Sequence, residues 1–391
     1  FSAWCRARVT MAPPLTGIKV IEFEGIGPGP LGCCILADHG ADVVTVSRVS
    51  KGLVRSQNDP VSRGKRSVAL DLKAASGLAA VKRLVQQADV VVDPFRPGVM
   101  ERLGLGPDVL CELNPQLVYA RMTGWGQRGD PSYVQSAGHD SNYIALGGTL
   151  DLFRRGDERP FPPVNFAGDY AGGGVMLALG VLLALIERRT SDRGQVIDVA
   201  MTDGANYVAL PLFKWLQPGG LLPTTDDGRC DANASVLHQA APWGDTYACK
   251  DGKYFAVQAL EPQFYRAMLK CLGLSQKRDN LPDRGDVDEW PRLRQIFAAT
   301  FASRTRDEWE SVFRGTDGCG APVLSAIEAA KHPHNVARGA FGPTPEFPGL
   351  FEPTPAPHLS RTPGHPPRRR PLPAEHTAEV LATAGFSPAD V

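Results

Sequence analysis

Residues 11 to about 124 alternate short Val- and Ile-rich runs with helix-forming stretches. Glycine-rich turns separate strand from helix, and a different composition begins after a Gly/Pro/Thr/Asp-rich break over Pro218–Asp231. These observations predict an α/β protein, with a large domain on a Rossmann-like, doubly wound parallel sheet and a smaller α+β domain. The expected borders are 11–217 for the first part of the large domain and 218–342 for the small one. An extended return and helix, 343–391, rejoin the large domain. At 391 residues the chain exceeds one ordinary core, so two domains are the default.

Leu15–Glu22 reads as the first strand. The turn Gly25-Ile26-Gly27-Pro28-Gly29-Pro30 leads to a helix from about Leu31 to His39, and Asp42–Ser47 is the second strand. The turn invites a dinucleotide reading, but Gly-x-Gly-x-x-Gly fails unless Gly32 is recruited. A tight turn that lets a ligand approach the backbone is favoured. Ser67–Leu72 is a strand, Ser76–Gln87 a helix, Ala88–Asp93 a buried strand, Pro107–Glu112 a helix and Leu117–Thr123 a further strand. A long apolar helix from Val175 ends at Thr190-Ser-Asp-Arg-Gly194. Strand Gln195–Ala200 and helix Thr202–Leu212 follow. Trp243–Cys249 and Tyr254–Ala259 form a hairpin around Lys250-Asp-Gly252, with helices near 262–272, 290–303 and 306–314. Pro343–Pro373 reads as an extended connection and Glu375–Ala384 as a terminal helix.

Composition narrows the function. A formal net charge of zero argues against nucleic acid as a bulk partner. No uninterrupted apolar run reaches about 18 residues, so no membrane span is expected. Eight cysteines include no Cys-x-x-Cys pair and no Cys/His cluster with zinc spacing, and adjacent Cys33-Cys34 read as small buried hydrophobes. Reduced thiols in an intracellular compartment are the simplest reading: cytoplasm in a bacterium, mitochondrion or peroxisome in a eukaryote. Phe1–Thr10 resembles the end of a transit peptide or an added extension. Ala389-Asp390-Val391 is not a Ser-Lys-Leu signal.

The chemistry concentrates between Gly138 and Gly174. His139 and Asp169 stand thirty positions apart, each preceded by glycine. A lone histidine is more often structural than catalytic, yet His139 lies in the polar run Asp140-Ser141-Asn142 rather than in an apolar core. Asp169 precedes a glycine triplet that opens a helix, so it reads as an N-cap whose pKa the helix N-terminus lowers. A histidine and an aspartate suit removal of a proton from carbon and its return. Ser-His-Asp hydrolysis fits poorly, since no Gly-x-Ser-x-Gly elbow occurs. Arg48, Arg96 and Arg102 follow predicted strand ends, where open α/β sheets bind ligands, and together they suggest a phosphate-bearing ligand. Solvated surface charge is the usual fate of any single arginine.

Several segments then coincide with one family: Phe95-Arg-Pro-Gly-Val-Met-Glu-Arg-Leu-Gly-Leu105, Ala120-Arg-Met-Thr-Gly-Trp-Gly-Gln127, Ala137-Gly-His-Asp140, Gly168-Asp169, Gly194-Gln-Val-Ile-Asp198, Glu261-Pro-Gln-Phe-Tyr265 and Ala321-Pro-Val323. In order and spacing the chain resembles the α-methylacyl-CoA racemases of the family III CoA-transferase superfamily, from about Leu15 to the C-terminal helix. The resemblance implies that His139 and Asp169 are the two catalytic bases and that Glu261 supports the histidine. It implies that Ile26, Arg48, Leu70, Asp71, Leu72, Lys73, Pro94, Phe95, Arg96, Arg102, Gly138, Asp140 and Tyr143 hold CoA. It also implies an interlocked homodimer acting on an acyl-CoA thioester, without metal or redox cofactor. One departure stands out: Leu237-His-Gln-Ala-Ala-Pro242 occupies the place of the family's Leu-Asp-Gly-Gly-Ala-Pro, which bears on acyl specificity. Two alternatives remain at this point. One is CoA transfer with Asp169 as the acyl-accepting nucleophile; the other is a non-enzymatic CoA-binding relative.

Overall fold

The computed structural model describes residues 11–48, 59–155, 158–216, 224, 231 and 240–386. Most of the break expected over Pro218–Asp231, and Leu237 to Gln239 of the departing segment, lie outside them, as do Phe1–Thr10 and the last five residues.

The chain divides into two compact units. The first comprises 1–147, 163–208 and 330–391, and the second 148–162 and 209–329. The first is built on six parallel strands: β1 (Lys19–Phe23), β2 (Asp42–Ser47), β3 (Arg66–Ala69), β4 (Val90–Asp93), β5 (Val118–Thr123) and β6 (Val196–Ala200). Their order is β3-β2-β1-β4-β5-β6. The sheet reverses its winding between β1 and β4, where Val20 pairs Val90 and Glu22 pairs Val92. A ligand crevice forms outside the carboxyl ends at such a switch point.

Strand alternation sorts the core into two layers. Ile21, Phe23, Val44, Val46, Val91 and Tyr119 face α2 (Ala75–Val85), Met100, Leu105 and Leu110. Val20, Val43, Val90, Val92, Val118 and Ala120 face α1 (Pro28–Asp38) and the long helix ending at Ser191. Helix α1 starts three residues before the expected Leu31. Proline has its φ preset for a first helical turn and lacks an N–H that would go unpaired there, so Pro28 opens the helix instead of delaying it.

The long helix also starts early, at Phe166 rather than Val175, with a π-helical front, Phe166–Val175, before α7 (Met176–Ser191). By length, and by the mean hydropathy of its most apolar 18 residues (1.8), this 26-residue run would pass for a membrane span. It instead packs as a core helix against α1, β5 and β6.

Several buried charges in this unit are paired with a partner of opposite sign. Lys65 and Glu22 are wholly buried 2.8 Å apart, and Glu22 also accepts from the Thr45 hydroxyl at 2.7 Å. Removing one partner of such a pair costs about 3–5 kcal/mol. The C-terminal return is held likewise: Arg370 joins Glu346 (2.7 Å) and Glu352, and Arg63 joins Asp38 (2.6 Å) and Glu352 (3.5 Å). Phe341–Pro343 pairs antiparallel with Phe351–Pro353, so part of the stretch expected to be extended is a hairpin. That pairing carries 341–343 into the first unit and moves the border from 342/343 to 329/330.

The other expected border, 217/218, falls at 208/209. Pro211 fits only the first turn of a helix, and the single helix expected over 202–212 is two: α8 (Met201–Val208) and Leu210–Trp215. The excursion 148–162 joins the second unit through Leu152, which packs on Leu212, Trp215 and Leu216.

The second unit holds a three-stranded antiparallel sheet: β7 (Thr246–Ala248), β8 (Tyr254–Val257) and β9 (Gly320–Pro322). The hairpin was legible; β9 was not, being three residues long with Gly and Pro. Its core is aromatic, with Tyr247 stacked on Phe301 at 4.9 Å and Trp309 edge-on to Phe301 at 5.2 Å.

Candidate active site

The glycines of the π-helical front bury backbone against backbone. A Cβ on Gly172 would lie 2.4 Å from the Ala205 nitrogen, and one on Gly204 of α8 would lie 1.8 Å from the Gly172 oxygen. Gly173 and Gly174 admit side chains of α1, with Pro28 Cβ 2.6 Å and Leu31 Cβ 2.9 Å from where their own Cβ atoms would stand. The wider turn shows in the Tyr170 N–H, which donates to the Asn165 carbonyl five residues back at 3.2 Å. Single π turns in helices recur at functional sites.

This front carries Asp169, so Asp169 is not the N-cap. That position belongs to Asn165, at φ 59, a left-handed conformation asparagine tolerates. Asn165 donates from Nδ2 to the Asp169 carboxylate at 2.7 Å. A Cβ on Gly27, in the turn after β1, would stand 3.4 Å from Asp169 Oδ2. That distance is ordinary van der Waals contact; what the position asks of glycine is its left-handed φ of 74. The Asp169 carboxyl is raised above its ordinary range, not lowered. Burial is the main cause, opposed by the Asn165 bond, reinforced by the charge of Asp140 and eased by His139. The Gly168, Asp169 and Tyr170 N–H groups are already engaged.

His139 is exposed and N-caps α6 (Asp140–Leu146) with extended backbone, its N–H donating to Asn142 Oδ1 at 3.0 Å. The Tyr143 ring wedges between Gly124 and Gly138, neither of which has room for a Cβ, and its hydroxyl donates to the Gly138 carbonyl. Trp125 braces that ring edge-on at 4.7 Å. The structure thus brings His139 and Asp169 within electrostatic reach of each other. Tyr143 lies within the fields of Asp169 and Arg96, its hydroxyl pushed up to about 12 chiefly by burial.

The positions the resemblance assigns to CoA follow the carboxyl ends of four adjacent strands. Ile26 follows β1 and is 89% exposed, and Arg48 follows β2 and is exposed. Leu70 to Lys73 follow β3. Leu70 is buried and Leu72 partly so, while Asp71 and Lys73 are exposed and the Lys73 N–H donates to Asp71 at 2.9 Å. Pro94, Phe95 and Arg96 follow β4, with Pro94 against Gly25 across the switch point and Phe95 6.3 Å from Phe23. Arg102 folds back over Gly98. Beneath this loop Asp93 accepts the Phe95 N–H at 2.9 Å, and burial pushes its carboxyl up to about 6.

Asp140, assigned to CoA by the resemblance, directs its carboxylate inward at 2% exposure. Glu261 is an exposed N-cap of helix Pro262–Leu272 in the second unit. Asn165 and the inward Asp140 were missed. Asn165 stands one helical turn before Asp169, a spacing that offered a signal, whereas the bond from Asp140 to residues 168 and 169 is tertiary.

The model of CoA-transferase family III matches residues 15–377. Alpha-methylacyl-CoA racemase of Mus musculus is 44% identical over 384 residues, 96% of this chain and 95% of the relative. The Homo sapiens protein of the same name is 43% identical, over 95% of this chain and 94% of its own. The crystal structure of a CAIB/BAIF family protein from Brucella suis superposes with a TM-score of 0.78 at 25% identity, over 96% of this chain and 100% of that one. On these matches and the six-stranded parallel fold, the chain belongs to CoA-transferase family III.

Proposed function

We propose that this chain is an isomerase that interconverts the (R) and (S) forms of 2-methylacyl-CoA thioesters. The thioester carbonyl acidifies the α-hydrogen. One base takes that proton, the C–H electron pair moves into an enolate, and the conjugate acid of the other base protonates the opposite face. The observation that carries this reading is geometric. His139, exposed at the N-cap of α6, adjoins Asp140, whose carboxylate accepts the Gly168 and Asp169 N–H groups at 2.7 Å. That draws the imidazole and the Asp169 carboxyl to one place, where burial raises that carboxyl above the usual range. Each base contributes roughly 10²–10⁴-fold. The names of the mouse and human relatives support the substrate class. The steps are proton transfers alone, so the proposal includes no metal or redox cofactor.

The proposal extends to a homodimer. Val175, Leu179, Leu183 and Ile186 form an exposed apolar stripe at helical spacing, continued by Val196 on edge strand β6. A second copy of the chain is the occupant proposed for it.

The test is incubation of each pure enantiomer of a 2-methylacyl-CoA in deuterated water. The expected result is deuterium at the α-carbon with loss of optical purity. CoA exchange onto a free acid without α-exchange would replace this reading with the transferase, in which Asp169 is the nucleophile.

A further inference from the structure

We propose that Asp140 is the positioning residue of the proton-transfer pair, a carboxylate clamp between the backbone carrying Asp169 and the helix start carrying His139. The inference rests on the reading of those two residues as the bases. Asp140 is the first residue of α6, immediately after His139. Its Oδ2 accepts the N–H groups of both Gly168 and Asp169, each at 2.7 Å, across 28 and 29 positions of sequence. One oxygen thus ties the start of α6 to the π-helical front, two helical starts far apart in sequence. Gly168 is needed for that approach: a Cβ there would stand 2.8 Å from Oδ2 and 3.2 Å from Ile144 Cγ2.

The second oxygen points to a role beyond bonding. Oδ1 is buried and, among the described residues, has no hydrogen-bond partner. An unpartnered buried acceptor is costly, and an asparagine would offer the same oxygen to the same two N–H groups without the charge. The charge has a use: it is one of the influences that raise the Asp169 carboxyl. Asp140 therefore sets where Asp169 stands and how basic it is, without needing to touch the substrate.

Two variants separate the two effects. Asp140→Ala removes both bonds. Misplacement of a reacting group by about 1 Å costs on the order of 10²-fold, so kcat should fall by about that factor. KM and the Kd for free CoA, measured by calorimetry, should stay within about threefold, because the lost interaction acts in the transition state. Asp140→Asn keeps the oxygen and should retain kcat within about tenfold. Its acid limb of kcat/KM should move to lower pH, since a like charge no longer opposes ionisation of Asp169. Carboxyl ¹³C NMR titration, assigned with Asp169→Asn, reads that shift without any turnover.

Asp140→Ala with kcat within about threefold of wild type would overturn the clamp, as would a loss confined to KM and CoA affinity. An Asp169 titration unchanged by Asp140→Asn would overturn the electrostatic half, and that measurement stands even where Asp140→Ala fails to fold. Failure of wild type to exchange an α-hydrogen would count against the racemase reading alone, because the NMR shift is independent of it.

Discussion

Phe166–Val175 and Met176–Ser191 are consecutive stretches of one helical run, yet they are held by different physics. The rear half, α7, buries side chains: Leu177, Ala178, Val181, Ala184 and Leu185 recur at three- and four-residue spacing against the sheet. The front half buries glycines 168, 172, 173 and 174 and turns Phe166 and Tyr170 outward. It is stabilised by close backbone contact with α1 and α8 rather than by apolar area. Asp169, the carboxylate proposed as a base, sits in the half with no side-chain core of its own. A stretch fastened backbone to backbone is free to present a functional side chain at an unusual angle, because no buried side chain of its own dictates the helical phase.

The comparison can be broken at Asp169 first. Asp169→Asn should lower racemisation by roughly 10²–10⁴-fold. The folded state raises this carboxyl above its unfolded value, so its contribution to stability is present in the protonated form at low pH and is lost as pH rises through the raised pKa. The variant should therefore melt at or slightly above wild type at pH 7, an advantage that shrinks below the ordinary carboxyl range. A large fall in Tm at pH 7 would make Asp169 a structural residue.

Rear-half side chains should act in the opposite sense. Leu177 is wholly buried, so Leu177→Ala should cost about 2–5 kcal/mol by denaturant titration. Leu183, 59% exposed on the same helix, should tolerate Glu with little loss of monomer stability. Leu183→Glu should instead shift sedimentation toward monomer, and a variant that stays dimeric would remove the stripe from the proposed interface.

Glycine substitutions give the smallest expected effects and the sharpest contrast between the halves. Gly204→Ala drives a Cβ into the Gly172 carbonyl and should cost about 1–3 kcal/mol or more. Gly180→Ala in the rear half meets side chains alone, Ile197 at 3.3 Å and Val199 at 4.0 Å, and alanine gains about 1 kcal/mol of helix propensity, so stability should change by less than about 1 kcal/mol. Equal losses at both positions would show that the halves are packed alike.

Most of the large unit was legible in the sequence because its signals are local. Val90-Val-Val-Asp93 and Asp42-Val-Val-Thr-Val-Ser47 are β-branched runs bounded by turn residues, and these strands fall within a residue or two of expectation. His139 and Asp169 stood out as candidate chemistry from their polar, glycine-flanked settings, and the resemblance implied the roles proposed for them. Where local chemistry serves two structures, the reading erred: Pro28 and Pro30 suit a turn and a first helical turn alike, and Gly172-Gly-Gly174 suits a helix start and a π-helical interior alike.

The sequence by itself determined the α/β alternation and singled out His139 and Asp169 as the proposed reacting pair, because strand periodicity and side-chain chemistry are written residue by residue. Only the tertiary structure decided what surrounds that pair. It brought Gly27 beside Asp169, turned Asp140 inward to residues 168 and 169, and reversed the expected direction of the Asp169 pKa. Those outcomes depend on the packing of α1, α6, α8 and the π-helical front, and on the burial that packing imposes. Neither quantity is encoded in any one segment of the chain.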